Sequence, residues 1–174
     1  QGVGLQAAFW EHHFHVPTVG GPAGGHRAHY GRVIRSHALG RFDTLLNAVI
    51  THPSMGCYLG NASSTKSAPN ENLGRELLEL HTVGRAAGYT EDDVKSSARI
   101  LTGYRVDLWN TWVASYQPSS HWTGAVNVLG FSDPNTSPVR HSLCRRTSGG
   151  FPPNAPIISA TCSSPSSAAR NATI

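Results

Sequence analysis

Asn70-Glu71-Asn72-Leu73-Gly74-Arg75-Glu76-Leu77-Leu78-Glu79-Leu80-His81-Thr82-Val83-Gly84 is the stretch on which the fold turns. At about 100° per residue, Asn72, Arg75, Glu76 and Glu79 fall at i, i+3, i+4 and i+7 of one helix and share a stripe. Leu73, Leu77 and Leu80 form a second stripe directly beside it. The apolar stripe has to face a core, so the polar one lies at the core's margin, where two carboxylates and a guanidinium are partly desolvated together. That arrangement suits a functional site, and it equally suits a structural ion network.

Working outward, Gly84 to Gly88 breaks this helix, and Thr90 with Asp93 three residues on makes a capping-box start for a helix from about Glu91 to Thr102. That helix buries Val94, Ala98 and Leu101, and Gly103 stops it. Upstream, Leu5 to Phe14 reads as a helix with Leu5, Ala8, Phe9 and His12 or His13 at helical spacing, stopped by Pro17 and the Gly20-Gly21-Pro22 turn. Tyr30 to Ala38 is a second helix with Tyr30, Val33, Ile34, His37 and Ala38 along one side, and Phe42 to Thr51 a third that carries Leu45, Leu46, Val49 and Ile50 and closes before His52-Pro53. Gly60 to Pro69 shows no periodicity and is expected to be an exposed loop. Between Tyr104 and Phe131, Val106, Trp109, Trp112, Val113, Tyr116, Val126 and Val128 cluster around turns, which predicts short strands. The expected fold is therefore mainly α: an irregular helical domain with a short β or irregular segment near 104–131. A helical core over residues 1–137 is expected to precede a poorly structured Ser, Pro and Arg-rich tail over 138–174.

The chain of 174 residues is 39% apolar and long enough for one domain with its own core. Its formal charge of +4 hints at nucleic acid, but the position of the charge argues otherwise. All ten acidic residues lie at or before Asp133, whereas Arg140, Arg145, Arg146 and Arg170 lie beyond it, so the body carries ten basic and ten acidic residues. A neutral body offers no basic surface, and no nucleic-acid partner is expected. No stretch approaches the roughly 18 apolar residues of a membrane span, and the start lacks the basic and apolar segments of a signal peptide. Cys57, Cys144 and Cys162 are too widely spaced for a Cys-x-x-Cys metal site or a disulfide framework.

Ten histidines raise the question of metal. His12 and His15 are three apart and could share a helix face, holding a transition metal if a third ligand arrives from elsewhere. The competing reading is helix-end histidines bonded to carbonyls. His81 lies about 140° around the helix from Glu76 and about 160° from Glu79, so one helix cannot aim all three at a common ion. Position 78 is Leu, which removes the Glu-x-x-His of carboxylate di-iron bundles. Glu76 and Glu79 remain candidates for a general base or for oxygen ligands of a hard cation, against a reading in which Arg75 and nearby backbone neutralise them. Ser63 and Ser64 offer a serine nucleophile without the elbow that would activate one, and the common hydrolase, nucleotide and dinucleotide motifs are missing.

These residues also carry a resemblance. Phe-Trp-Glu-His-His-Phe at 9–14, Ile-Arg-Ser-His-Ala-Leu-Gly-Arg-Phe at 34–42, His-Pro-Ser-Met at 52–55, the 70–84 stretch, Tyr-Thr-Glu-Asp-Asp-Val at 89–94, Leu-Thr-Gly-Tyr at 101–104 and His-Trp-Thr-Gly at 121–124 follow in order. Together they resemble the bacterial domain-of-unknown-function 1800 family over residues 5 to about 137. The resemblance implies a mainly helical, commonly exported protein whose biochemical role is unassigned. Its polar motif positions fall on His13, His37, Asn70, Glu71, Asn72, Arg75, Glu76, Glu79 and His81. Against that family the chain reads as a fragment, and its ending as a shifted reading frame or a foreign terminus.

Two functional expectations follow. One is an extracytoplasmic hydrolase whose polar pocket joins the 70–82 helix to the His13 and His37 segments. Glu76 or Glu79 would activate water, Arg75 would hold an anionic group or the developing oxyanion, Asn72 would join them in the catalytic set, and His13 and His37 would be ligands or proton carriers, with His81 as a further ligand to a divalent metal, the one cofactor under consideration. The other is a non-catalytic binding or assembly module, in which the same residues form a network that fixes how the helices meet.

Overall fold

The computed structural model describes residues 2–18, 22–111 and 113–136. The expected tail over 138–174, with Cys144 and Cys162, lies outside the described residues, as do Gly20, Gly21 and Trp112. Among the described residues, helices α1 (Gly2–His13), α2 (Pro22–Gly25), α3 (Arg27–His37), α4 (Phe42–Ile50), α5 (Pro53–Tyr58), α6 (Glu71–Glu79) and α7 (Glu91–Ile100) precede four short strands. These are β1 (Tyr104–Val106), β2 (Ala114–Tyr116), β3 (Val126–Val128) and β4 (Phe131–Asp133). The strands form two separate antiparallel hairpins, with Arg105 opposite Ser115 in the first and Asn127 opposite Ser132 in the second. The protein is mainly α with a short β segment, and no helix among the described residues is long and apolar enough to cross a membrane.

One apolar cluster joins the elements: Phe14, Tyr30, Ile34, Leu45, Val49, Leu73, Leu77, Leu78, Val94, Leu101 and Val126 all contribute buried side chains. In α3, Tyr30, Ile34 and Ala38 bury along the side that the periodicity predicts, and in α4 so do Leu45, Leu46, Val49 and Ile50. The Tyr30 hydroxyl donates to the Phe14 carbonyl at 2.8 Å, and burial pushes its pKa well above the ordinary phenol value. Three expectations need correction. In α1, Leu5 is 78% and Phe9 57% exposed, and Ala7 and Phe14 bury instead, so the inward face is rotated from the predicted one. In α6, Leu80 is exposed and Leu78 is buried, because the helix ends at Glu79 and the chain turns away. The segment after Gly60 is an exposed loop only in part: Ser63, Lys66, Ser67 and Ala68 are exposed, but a 3-10 turn over Asn61–Ser63 buries Asn61 and Ala62, and Ser64 behind it is buried too. There the Asn61 amide donates to the Leu101 carbonyl at 3.0 Å, and the Ser64 hydroxyl accepts from the Asn70 N–H at 3.0 Å.

Helix starts follow local chemistry. Pro53 opens α5, a helix that periodicity misses, with the His52 ring nitrogen accepting from the Ser54 N–H in front of it. Asn70 caps α6 through the Asn72 N–H, and Thr90 with Asp93 caps α7 in the predicted capping box. Asp93 does more than cap: its other oxygen accepts from the Leu129 N–H at 2.7 Å and ties the β3–β4 turn to α7. Burial acts to raise the Asp93 pKa, but hydrogen bonds from the Leu129 and Thr90 N–H groups and the Thr90 hydroxyl outweigh it and hold it below the ordinary value. Helices α6 and α7 approach so closely at Gly74 that a Cβ there would lie 2.8 Å from the Ala98 backbone nitrogen. After α7, Gly103 turns the chain with φ +88°, a conformation that favours glycine, as its predicted role as a stop requires.

Candidate functional site

The polar face of α6 stands at the margin of the core, and its groups are engaged by neighbouring elements. Arg75 makes a two-pronged ion pair with Glu91 at the start of α7, at 2.8 and 2.6 Å, with Glu71 3.8 Å away. That pairing raises the Arg75 pKa and lowers that of Glu91. Glu79 accepts from the Tyr89 hydroxyl at 2.9 Å and pairs with Arg85 at 3.2 Å. Burial and the bond to Glu79 both push the Tyr89 phenol up. Asn72 is exposed and donates to the Leu59 carbonyl at 3.3 Å. Glu76 differs from these: one carboxylate oxygen is buried with no hydrogen-bond partner among the described residues.

The imidazoles distribute unevenly. His13, at the end of α1, donates from Nε2 to the His81 backbone carbonyl at 3.2 Å, and the two rings lie 6.0 Å apart. His81 itself is 5% exposed, and its pKa falls to about 4 because burial and the neighbouring His13 both oppose a charge. His37 is half-buried at the end of α3, and its side chain makes no hydrogen bond or ion pair among the described residues. The structure therefore brings His13 and His81 together, through a backbone carbonyl, and leaves His37 apart. Among the described residues, no group of three or more His, Cys, Asp and Glu side chains is disposed to hold a metal ion.

A second histidine pair, absent from the sequence reading, joins α3 to α5. His29 Nδ1 and His52 Nε2 are 2.8 Å apart, with ring centroids at 5.0 Å. Since a backbone N–H can only donate, Ser54 fixes His52 Nδ1 as an acceptor, and neutral His52 carries its proton on Nε2, facing His29. A proton added at Nδ1 would confront the Ser54 N–H. Burial, then the neighbouring His29 and His26, lowers the His52 pKa to about 4.

His52 also borders a cleft of about 210 Å³ between α5, the Asn61–Ser63 turn and the β1–β2 hairpin. Its walls include Thr51, Asn61, Tyr104, Arg105, Ser115 and Tyr116. Two polar atoms of these residues are buried without partners among the described residues, Asn61 Oδ1 and Arg105 Nε. The Asn61 amide orientation is fixed, because only its nitrogen can donate to the Leu101 carbonyl, which leaves the oxygen as the unpaired atom. Sequence reasoning passed over both residues. The one available signal was Arg105 itself, a charge set among aromatic and β-branched strand residues where only a specific role justifies it.

No curated protein matches the chain, and no solved structure matches it. Residues 6–147 match the family described as Protein of unknown function (DUF1800), a span that runs from α1 through both hairpins and past the boundary at 137 expected from the sequence. The chain belongs to this DUF1800 family.

Proposed function

We propose that this domain is a non-catalytic binding or assembly module, and that the polar face of α6 serves to join helices. The observation that carries this reading is the Arg75–Glu91 pair, which commits to α7 the guanidinium that a hydrolase would need free for an oxyanion. Glu79, held by Tyr89 and Arg85, supports it in the same way. A charged group already bonded on both sides is poorly disposed to take up a proton or a substrate oxygen.

A second reading, metal- or carboxylate-assisted hydrolysis, is favoured by one observation, the unpartnered buried oxygen of Glu76. Buried polar atoms are nearly always satisfied, so an exception invites a ligand. Metal analysis of the purified chain, alongside thermal melts, separates the two. A module keeps the same metal content in Glu76→Ala and His13→Ala and only melts at lower temperature. Stoichiometric zinc, iron or manganese that disappears in either variant would overturn the module and establish the hydrolase centre. The extracytoplasmic setting is part of the proposal and rests on the family resemblance; fractionation of producing cells tests it.

A further inference from the structure

The pair formed by His29 and His52 involves no residue of α6, so what it does is independent of how the α6 question is resolved. We propose that this pair is an acid-operated latch: it holds the 50–56 wall of the cleft against α3, and one added proton releases it.

The direction of the hydrogen bonds carries the argument. From the Ser54 N–H to His52 Nδ1, at 3.1 Å, and from the His52 Nε2–H to His29 Nδ1, at 2.8 Å, every donor points the same way. An added proton fits at neither contact. On His29 Nδ1 it faces the His52 Nε2–H, two donors across 2.8 Å. If His52 shifts its own proton to Nδ1 in order to accept that donor, the clash passes to the Ser54 N–H. Either way one link is lost, and a polar group held away from water is left without its partner.

The groups around the pair do not compensate for a charge. His29 and Tyr30 of α3, and His26 just ahead of it, approach the His52 ring, with the Tyr30 ring centroid 5.0 Å away. Across the cleft stand Tyr104, Arg105 and Tyr116 of the hairpin. Helix α2 and the Asn61–Ser63 turn carry no titratable side chain, and α5 itself adds Cys57 and Tyr58. Asp43, the acid of α4, is paired with Arg41 at 3.1 Å. Among the described residues, therefore, no carboxylate faces His52, and His29 and His26 both oppose a charge on it.

The fold decides what release does. His29 is exposed and His52 is buried, so solvent protons reach the outer ring, which swings outward once the contact turns repulsive. His52 caps α5, and its neighbours Ile50, Thr51, Pro53 and Gly56 line one wall of the cleft. Met55 stays anchored in the core, so the movement is a local opening at the start of α5 and not the loss of the helix. The latch thus widens the cleft in acid and closes it near neutral pH.

Amide exchange in the isotopically labelled 174-residue chain, followed by NMR at about pH 7 and about pH 5, tests the proposal. Protection at Gly56, whose N–H donates to the His52 carbonyl at 3.0 Å, is compared with protection at Ala98 in α7, which reports on the whole fold. The Gly56-to-Ala98 ratio should fall about tenfold or more on acidification, and the Tyr104, Arg105 and Tyr116 amides across the cleft should shift with it. His29→Gln supplies a carbonyl oxygen that accepts from His52 and takes up no proton, so its ratio should hold within about twofold. Nitrogen spectra of the rings at about pH 7 should place the His52 proton on Nε2. If His29→Gln does not fold, the ratio and the ring spectra of the unaltered chain still decide the matter. A constant ratio in the unaltered chain, an equal fall in His29→Gln, unmoved hairpin amides, or a His52 proton on Nδ1 would each overturn the latch.

Discussion

The α6–α7 pair and the cleft beside the β1–β2 hairpin differ in how far their charges are paired. On α6 the ionisable groups are dense, and Arg75 and Glu79 have found partners on α7 and the segment before it, while Glu76 keeps one buried oxygen unpaired. At the cleft the polar groups are sparse, but Asn61 and Arg105 keep buried atoms unpaired. Density of charge along a helix does not by itself mark a site, since alternating signs at helical spacing readily neutralise one another and their neighbours. Pairing needs groups from distant segments to converge, and where they do not, a buried polar atom is left unsatisfied.

The largest expected effect breaks the first region. Gly74→Val places side-chain atoms against the Ala98 nitrogen and the Val94 carbonyl, neither of which can yield without separating the helices. It should destabilise the fold by about 3 kcal/mol or more, measured by chemical denaturation. An unchanged midpoint would mean that α6 and α7 are not packed at this distance.

Acidification probes both regions, since His81 follows α6 and His52 borders the cleft. Both have folded pKa values near 4, below the ordinary 6.5, so the unfolded chain takes up their protons first as pH falls. Their contribution is complete above pH 6.5, declines as the pH drops toward 4, and changes no further below that. Each is worth up to about 3 kcal/mol over this window. Denaturation at a series of pH values checks the profile, and His52→Gln should remove its share.

Asp93→Ala comes next. It removes the reciprocal half of the capping box, leaving both the Thr90 N–H and the Leu129 N–H without their acceptor, for a loss of about 1–2 kcal/mol. Faster amide exchange at Leu129 would place the loss at the β3–β4 turn. Arg75→Gln should have the smallest effect, because its pair with Glu91 lies at the surface and is screened by salt. A small drop in melting temperature that vanishes at high ionic strength is the expected result; a large drop at all ionic strengths would show that the pair contributes more than a surface bridge.

The chemistry of short range was legible in the sequence. The capping box at Thr90 and Asp93, the stop at Gly103, the buried sides of α3 and α4 and the strand-like character after Tyr104 all depend on residues within a few positions of one another. The readings that failed depended on what lies across the fold. The inward face of α1 is set by Tyr30 and Phe42, which engage Phe14, rather than by the helix's own apolar pattern. The turn after Gly60 looks polar enough for solvent, but Leu101 and Asn70 supply partners that make its burial affordable.

The sequence by itself determined a mainly helical DUF1800 domain, because periodicity, caps and glycine stops are local and the family blocks are contiguous in the chain. The tertiary structure alone decided which charges are neutralised and which polar atoms remain open. Pairing requires atoms from separate elements to come within about 3 Å, and no spacing along a chain encodes that approach.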